Sequence, residues 1–188
     1  VAQDAIVTMR PYANKLDQIL RNILANLDGE GSTSFGVERP VERACLVVIT
    51  SNRGLAGAFN TNIGKAAIAV IDGEFQQLAE AGKLEVICIG KKGYDYLRRR
   101  YTNLKFNTNY INLFDDLTFE NTQEVAEYLM DAFEYGTYDK VVVAYSRFKN
   151  AAMQIAEAVQ FLPVTKLEAE GEEDSMRADY IFEPDQNE

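Results

Sequence analysis

Histidine is absent from this chain of 188 residues. The chain therefore cannot assemble a serine–histidine or cysteine–histidine nucleophile, or a histidine metal site, from its own residues. Cysteine occurs only twice. Cys45 and Cys88 both lie inside apolar runs typical of strands, so we expect two buried free thiols and no disulfide or redox pair.

Long apolar runs are also missing. No stretch approaches the roughly 18 residues of a membrane-spanning helix, and the N-terminus lacks the pattern of a signal peptide, so we expect no direct membrane insertion. Basic residues are outnumbered, 19 against 29 acidic ones, and the net charge is −10. This charge argues against nucleic acid as a partner of the domain as a whole.

The first 28 residues carry a regular apolar stripe. Its members recur at spacings of four and three and are Ala2, Ile6, Met9, Ala13, Leu16, Leu20, Ile23 and Leu27. This spacing is typical of a coiled-coil helix, although an amphipathic helix packed on its own domain has the same pattern. The stripe begins mid-pattern at Val1, which indicates a fragment of a longer protein. Residues 29–40 are rich in glycine and serine and predict a linker loop.

Residues 41–188 predict one globular domain in which strands and helices alternate. Strands are predicted at 41–49, 84–89 and 139–148, with a weaker one near 109–113. Helices are predicted at about 60–81, directly after Gly90, and at about 121–135, where Asn121 and Glu124 have the spacing of a capping box. Strands separated by helices predict an α/β fold with a mostly parallel, Rossmann-like sheet flanked by helices.

Residues 151–162 fit two structures on local evidence. Their alanine content favours a helix. Lys149 and Asn150 form a plausible hairpin turn after a strand, which favours a second strand instead.

The segment from Cys45 to Asn60 is the first candidate for a functional site. A buried strand that turns through glycines into a helix is how nucleotide-binding folds begin. However, Gly54 and Gly57 have neither the G-x-G-x-x-G spacing nor the lysine of a P-loop, and no acidic residue ends the second strand near Gly90. Two interpretations follow: a turn whose glycines serve packing, or a nucleotide-binding α/β enzyme domain.

Two charged segments are further candidates. The first combines basic and aromatic side chains over residues 91–101, a pattern that can grip single-stranded nucleic acid. On a short helix of an acidic domain, a solvated helix face is favoured instead, with the docking of an acidic protein as the next alternative. The second is the acidic run 168–174, which lacks the ligand spacing of a calcium loop and is typical of a solvated loop. We predict no catalytic residues and no metal site from either segment.

Segment 51–60 resembles the hallmark segment of the gamma subunit of F-type ATP synthases. The residues of this signature turn are Arg53, Gly54, Leu55, Gly57, Phe59 and Asn60. Segments 9–13, 89–93, 145–149, 161–163 and 179–184 agree with the same family in the same order. Asn52 departs from the family, which usually has aspartate there, and Ala56 often replaces a cysteine.

The resemblance implies a non-catalytic central-stalk subunit without a cofactor. The globular domain would lie between two long helices that form a shaft inside the catalytic ring of alpha and beta subunits. Its other partners would be the epsilon subunit and the membrane c-ring, on the cytoplasmic face of the bacterial inner membrane. Contacts with epsilon and the membrane ring map to Tyr180, Phe182 and Glu183. The resemblance also implies a strand at 151–162.

Overall fold

A computed structural model describes residues 34–54, 58–116, 118–150 and 153–164. Five of the described segments form a single sheet. The strands are β1 (Ala44–Ile49), β2 (Leu84–Ile89), β3 (Lys105–Asn107), β4 (Lys140–Asn150) and β5 (Met153–Leu162). The helices are α1 (Phe59–Asp72), α2 (Gln76–Glu80), α3 (Lys91–Arg100) and α4 (Phe119–Glu134).

The strand order is β3-β2-β1-β4-β5, with only β5 antiparallel to its neighbour. The α/β fold with a mostly parallel sheet is therefore confirmed. Every residue of β1 is buried, because helices cover both faces of the sheet, and this explains why its sequence is continuously apolar instead of alternating.

Each face of the sheet carries its own core. On one face, α4 packs against alternate residues of β1, β2 and β4, together with Phe35. On the other face, α1 and α3 pack against the intervening residues. Small side chains at Ala144, Ala156 and Ala158 let α1 lie across β4 and β5.

The segment 151–162 is a strand over residues 153–162, as the resemblance implied. It pairs with β4 from Val141↔Leu162 to Asn150↔Met153. The helix that alanine content favoured is wrong, because intrinsic propensity amounts to less than the backbone pairing and apolar contacts that β4 supplies.

Two of the predicted boundaries are wrong at the start of an element. β1 begins at Ala44 instead of residue 41, because the amides of Glu42 and Arg43 donate to the carboxylate of Asp139. The last helix begins at Phe119, because Thr118 is its N-cap and accepts a hydrogen bond from the amide of Asn121. The predicted capping box at Asn121 is therefore wrong.

Two other predictions fail inside the chain. The helix predicted over 60–81 is two helices, since α1 ends at Asp72 and Gly73 follows as its C-cap. The weak strand near 109–113 is wrong, and the third strand is β3, four residues earlier. The side chain of Asn107 accepts a hydrogen bond from the amide of Asn109, which turns the chain away from the sheet.

Residues 34–40 of the predicted linker contribute to the globular domain. Phe35 is buried and Arg39 bonds to Asp139. Both cysteines are buried and free, as predicted. The shaft helix predicted at 1–28 lies outside the described residues. Among the residues that are described, no helix has the length and apolar character needed to cross a membrane.

Candidate functional site at the carboxyl edge of the sheet

The turns that follow β1 and β2 meet at one edge of the sheet. The two strands are parallel and end in register, Ile49 opposite Ile89. The amide of Thr50 donates to the carbonyl of Ile89 at 2.8 Å, which extends the pairing into the turn. In open α/β sheets, ligands bind outside this carboxyl edge, so the segment singled out in the sequence lies where a nucleotide would bind.

The first three amides of α3 are already hydrogen-bonded by the turn after β1. The amide of Lys91 donates to Oδ1 of Asn52 at 2.9 Å, and that of Lys92 donates to the carbonyl of Ser51 at 3.0 Å. The amide of Gly93 donates to Oγ1 of Thr50 at 2.7 Å. Free amides at a helix N-terminus are what a phosphate needs. Here oxygens of the protein itself accept from these amides, where the oxygens of a phosphate would otherwise do so. We call residues 50–52 together with residues 91–93 the turn brace.

Two glycines, one next to the turn brace and one within it, allow the two turns to approach closely. Gly90 has φ of +96°, and a Cβ at this position would lie 2.0 Å from the carbonyl oxygen of Thr50. A Cβ at Gly93 would lie 2.8 Å from Oγ1 of the same threonine. These two glycines therefore serve packing between the turns.

A second set of hydrogen bonds joins the end of β1 to the start of α1. The amide of Ser51 donates to Oδ1 of Asn60 at 3.0 Å, and Nδ2 of Asn60 donates to Oγ of Ser51 at 2.8 Å. The oxygen and the nitrogen of the Asn60 side-chain amide thus both bond to Ser51. This locks the direction in which the chain leaves the strand and enters the helix.

Asn52 uses both ends of its side-chain amide. Its Oδ1 accepts from Lys91, and its Nδ2 donates to Oδ1 of Asp115 at 3.2 Å. An aspartate at position 52 would keep the first bond, but it would place two carboxylates in contact. Asparagine at position 52, where the family usually has aspartate, therefore suits the carboxylate that this chain has at position 115.

The signature residues predicted from sequence are only partly brought together. Asn60 belongs to the hydrogen-bonded network, and Phe59, the first residue of α1, packs against the core on that face of the sheet. Arg53 is exposed, and Gly54 lies beside the side chain of Lys92. Leu55 and Gly57 lie outside the described residues, as do the predicted partner contacts Tyr180, Phe182 and Glu183.

Sequence reasoning missed Thr50, Ser51, Asn52, Gly90 and Gly93 as one unit. A signal was available: three consecutive polar residues directly follow a fully apolar strand, and the next strand is followed by two glycines. Hydrogen-bonding side chains and glycines at two neighbouring strand ends indicate turns that contact each other. Sequence alone gives no measure of which donor meets which acceptor.

The described part of the chain contains no cluster of three or more acidic or cysteine residues that could hold a metal ion. The thiols are not prepared for nucleophilic chemistry either. Burial raises the pKa of Cys88 to about 12. Burial, and to a lesser extent the charge of Glu85, raises the pKa of Cys45. Both thiols are therefore protonated and inert at neutral pH.

Two of the five basic residues of α3, Arg98 and Arg100, form ion pairs within the described part of the domain. Arg98 contacts Asp95 at 3.2 Å, and Arg100 contacts Asp72 at 2.9 Å. Hydrogen bonds from Tyr101 and Arg100 lower the pKa of Asp72. Three arginines at the end of a helix also interact favourably with its dipole. The two ion pairs favour a solvated helix face for this segment, which stays a prediction.

The comparison with known proteins decides the family. A family model described as ATP synthase matches residues 1–188. The ATP synthase gamma chain of Cytophaga hutchinsonii is 44% identical over 188 residues, all of this chain and 63% of that protein. The gamma chain of Christiangramia forsetii is 43% identical over 183 residues, 97% of this chain and 60% of that protein. The chain belongs to the ATP synthase gamma family.

The membership confirms the resemblance carried by segment 51–60. This member of the gamma family spans about three fifths of the length of the gamma chains that it matches. A solved structure, the central stalk and c-ring of the Tetrahymena thermophila mitochondrial ATP synthase, contains a chain that is 20% identical with a TM-score of 0.49. That match covers 96% of this chain and 85% of the other.

Proposed function

We propose that this gamma-family chain is the globular part of the rotor of an F-type ATP synthase. In this role it couples proton flow through a membrane ring to ATP synthesis or hydrolysis in a separate catalytic ring. The supporting observation is the family match across all 188 residues to gamma chains. The chain itself is non-catalytic in this proposal, and the complex carries the activity.

The turn brace supports a mechanical role over a nucleotide-binding one. The first amides of α3, which would hold a phosphate, bond to Thr50, Ser51 and Asn52. The same bonds join β1, β2 and α3 into one stiff unit at the edge where a ligand would otherwise bind. A rotor needs a rigid body that does not deform under load, and turns joined by hydrogen bonds contribute to such rigidity.

The proposed partners are the catalytic alpha and beta ring, reached through the shaft, the epsilon subunit and the membrane c-ring. The chain would act on the cytoplasmic face of the bacterial inner membrane. Tyr180, Phe182 and Glu183 are proposed contacts with epsilon and the ring. We expect Tyr180→Ala with Phe182→Ala to abolish co-purification of epsilon. Tyr135→Ala, at an aromatic that is 86% exposed, should leave co-purification unchanged.

Rotation of the assembled complex tests the proposed function. A bead attached to this gamma chain, in a complex fixed by its catalytic ring, should rotate in steps when ATP is added. A complex that hydrolyses ATP while the bead remains stationary would contradict the rotor role. Arg53 is exposed and lies in the described part of the domain, so Arg53→Cys offers an attachment point outside the core.

A further inference from the structure

The chain enters and leaves the sheet at one place. Phe35 is buried, and its ring centroid lies 6.4 Å from that of Phe133, near the end of α4. Its carbonyl accepts a hydrogen bond from the amide of Val164, just after β5, at 2.7 Å. Residues 1–33 and residues 165–188 are therefore both connected to the sheet through neighbouring backbone segments.

Arg39 attaches the entering segment to the body of the domain through two of its guanidinium nitrogens. Nε donates to Oδ1 of Asp139 at 2.6 Å, and Nη2 donates to the carbonyls of Phe133 and Tyr138 at 2.5 and 2.8 Å. The guanidinium also lies 4.2 Å from the centroid of the Phe133 ring. A planar group held by three oxygens and one ring is fixed in orientation as well as in position.

Asp139 completes the attachment from the other side. Its Oδ2 accepts hydrogen bonds from the amides of Glu42 and Arg43 at 2.9 and 3.1 Å. Its own amide donates to the carbonyl of Arg43 at 2.7 Å. Asp139 is the residue before β4, and Arg43 is the residue before β1. One carboxylate thus joins the entering segment to the starts of the two central strands.

We propose that Arg39 and Asp139, which we call the entry clamp, form the joint that transmits torque between the N-terminal segment and the sheet. The inference rests on the proposed rotor function. Within the described residues, the backbone that leads from residue 34 to β1 is the segment that Arg39 holds, so a twist applied from the N-terminal side reaches β1 along it. A single flexible bond there would let the segment turn about its own axis. The fork of Arg39 and the two-sided contacts of Asp139 oppose that rotation.

The clamp differs from an ordinary surface ion pair, and the chain offers one for comparison. Arg100 contacts Asp72 at 2.9 Å, but both side chains are about half exposed, 54% and 45%. The side chains of Arg39 and Asp139 are 29% and 12% exposed. Arg100→Lys is therefore a matched control for Arg39→Lys. Both variants keep the positive charge and lose the planar guanidinium, but only position 39 lies on the path to β1.

Hydrogen exchange of the 188-residue chain provides the first test. With Arg39→Lys, we expect the amides of Glu42, Arg43 and Val164 to exchange about tenfold faster or more, because lysine keeps the charge but cannot reproduce the set of hydrogen bonds that the guanidinium makes to Asp139, Phe133 and Tyr138. Amides of the β1–β2 ladder should keep their rates. Uniform acceleration of all amides would overturn the inference, since it would show a loss of global stability without a local joint.

Rotational stiffness of the assembled complex provides the second test. Thermal fluctuations of a bead on the globular domain, recorded while the catalytic ring is stalled, report the compliance between domain and ring. We expect a broader angular distribution with Arg39→Lys than with wild type or Arg100→Lys. Equal widths would overturn the clamp while leaving the rotor role intact. A wild-type complex that does not rotate at all would instead refute the proposed function.

Discussion

Replacing Thr50 by valine tests whether the turn brace stabilises the fold as described. Thr50 is 1% exposed, and its Oγ1 accepts from the amide of Gly93 at 2.7 Å. Valine removes that acceptor and leaves a buried amide unsatisfied, which costs about 1–3 kcal/mol. Its extra methyl group would also stand where the oxygen makes a 2.7 Å contact, and relieving that overlap costs about 1–3 kcal/mol more. The greater apolarity of valine returns about 0.8 kcal/mol.

The free energy of unfolding should therefore fall by about 1–5 kcal/mol with Thr50→Val. Thr50→Ser keeps the hydroxyl and loses only a methyl group, which should cost about 1 kcal/mol. Urea denaturation followed by circular dichroism measures both values. A serine variant less stable than the valine variant would refute the reasoning, because it would make the methyl group, and not the hydrogen bond, the stabilising part of Thr50.

Three further predictions concern groups in the same domain. Asn52→Asp should destabilise the chain by about 1 kcal/mol at neutral pH through repulsion from Asp115, and adding Asp115→Asn should restore stability in urea. Gly90→Ala should prevent stable folding, because φ is +96° and the added carbon would lie 2.0 Å from the carbonyl oxygen of Thr50; a thermal midpoint within a few degrees of wild type would disprove this. Burial alone would raise the pKa of Asp139, but hydrogen bonds from Arg39 and two backbone amides outweigh it and lower the pKa below 3.8. The resulting stabilisation is present above the unfolded pKa and is lost as pH falls through the lower folded pKa, so urea midpoints between about pH 6 and pH 2 should fall less steeply in Asp139→Asn.

The fold class could be predicted because the sheet leaves a direct trace in the sequence. β1, β2 and the first half of β4 are buried on both faces, and their apolar runs show this without knowledge of any partner. The antiparallel β5 could not be assigned from its own residues. Its alanines pack on the face of the sheet that α1 covers. Neither that helix nor the pairing with β4 can be recognised from a short stretch of sequence.

Two of the features that were missed share a physical cause, which is a polar side chain that bonds a distant backbone group. Asp139 removes Glu42 and Arg43 from the predicted first strand, 97 and 96 residues away in sequence. Asn52 meets Lys91 across 39 residues. Local propensity has no information about such pairs. The segment from Cys45 to Asn60 does turn at the end of β1, but the turn brace depends on the register of β1 with β2.

The turns at the carboxyl edge brace the sheet, and we expect them not to hold a nucleotide. Calorimetric titration of the 188-residue chain with ATP, ADP and NAD measures this directly. We expect no binding heat for any of the three. Micromolar binding that Gly54→Val abolishes without unfolding the domain would contradict it.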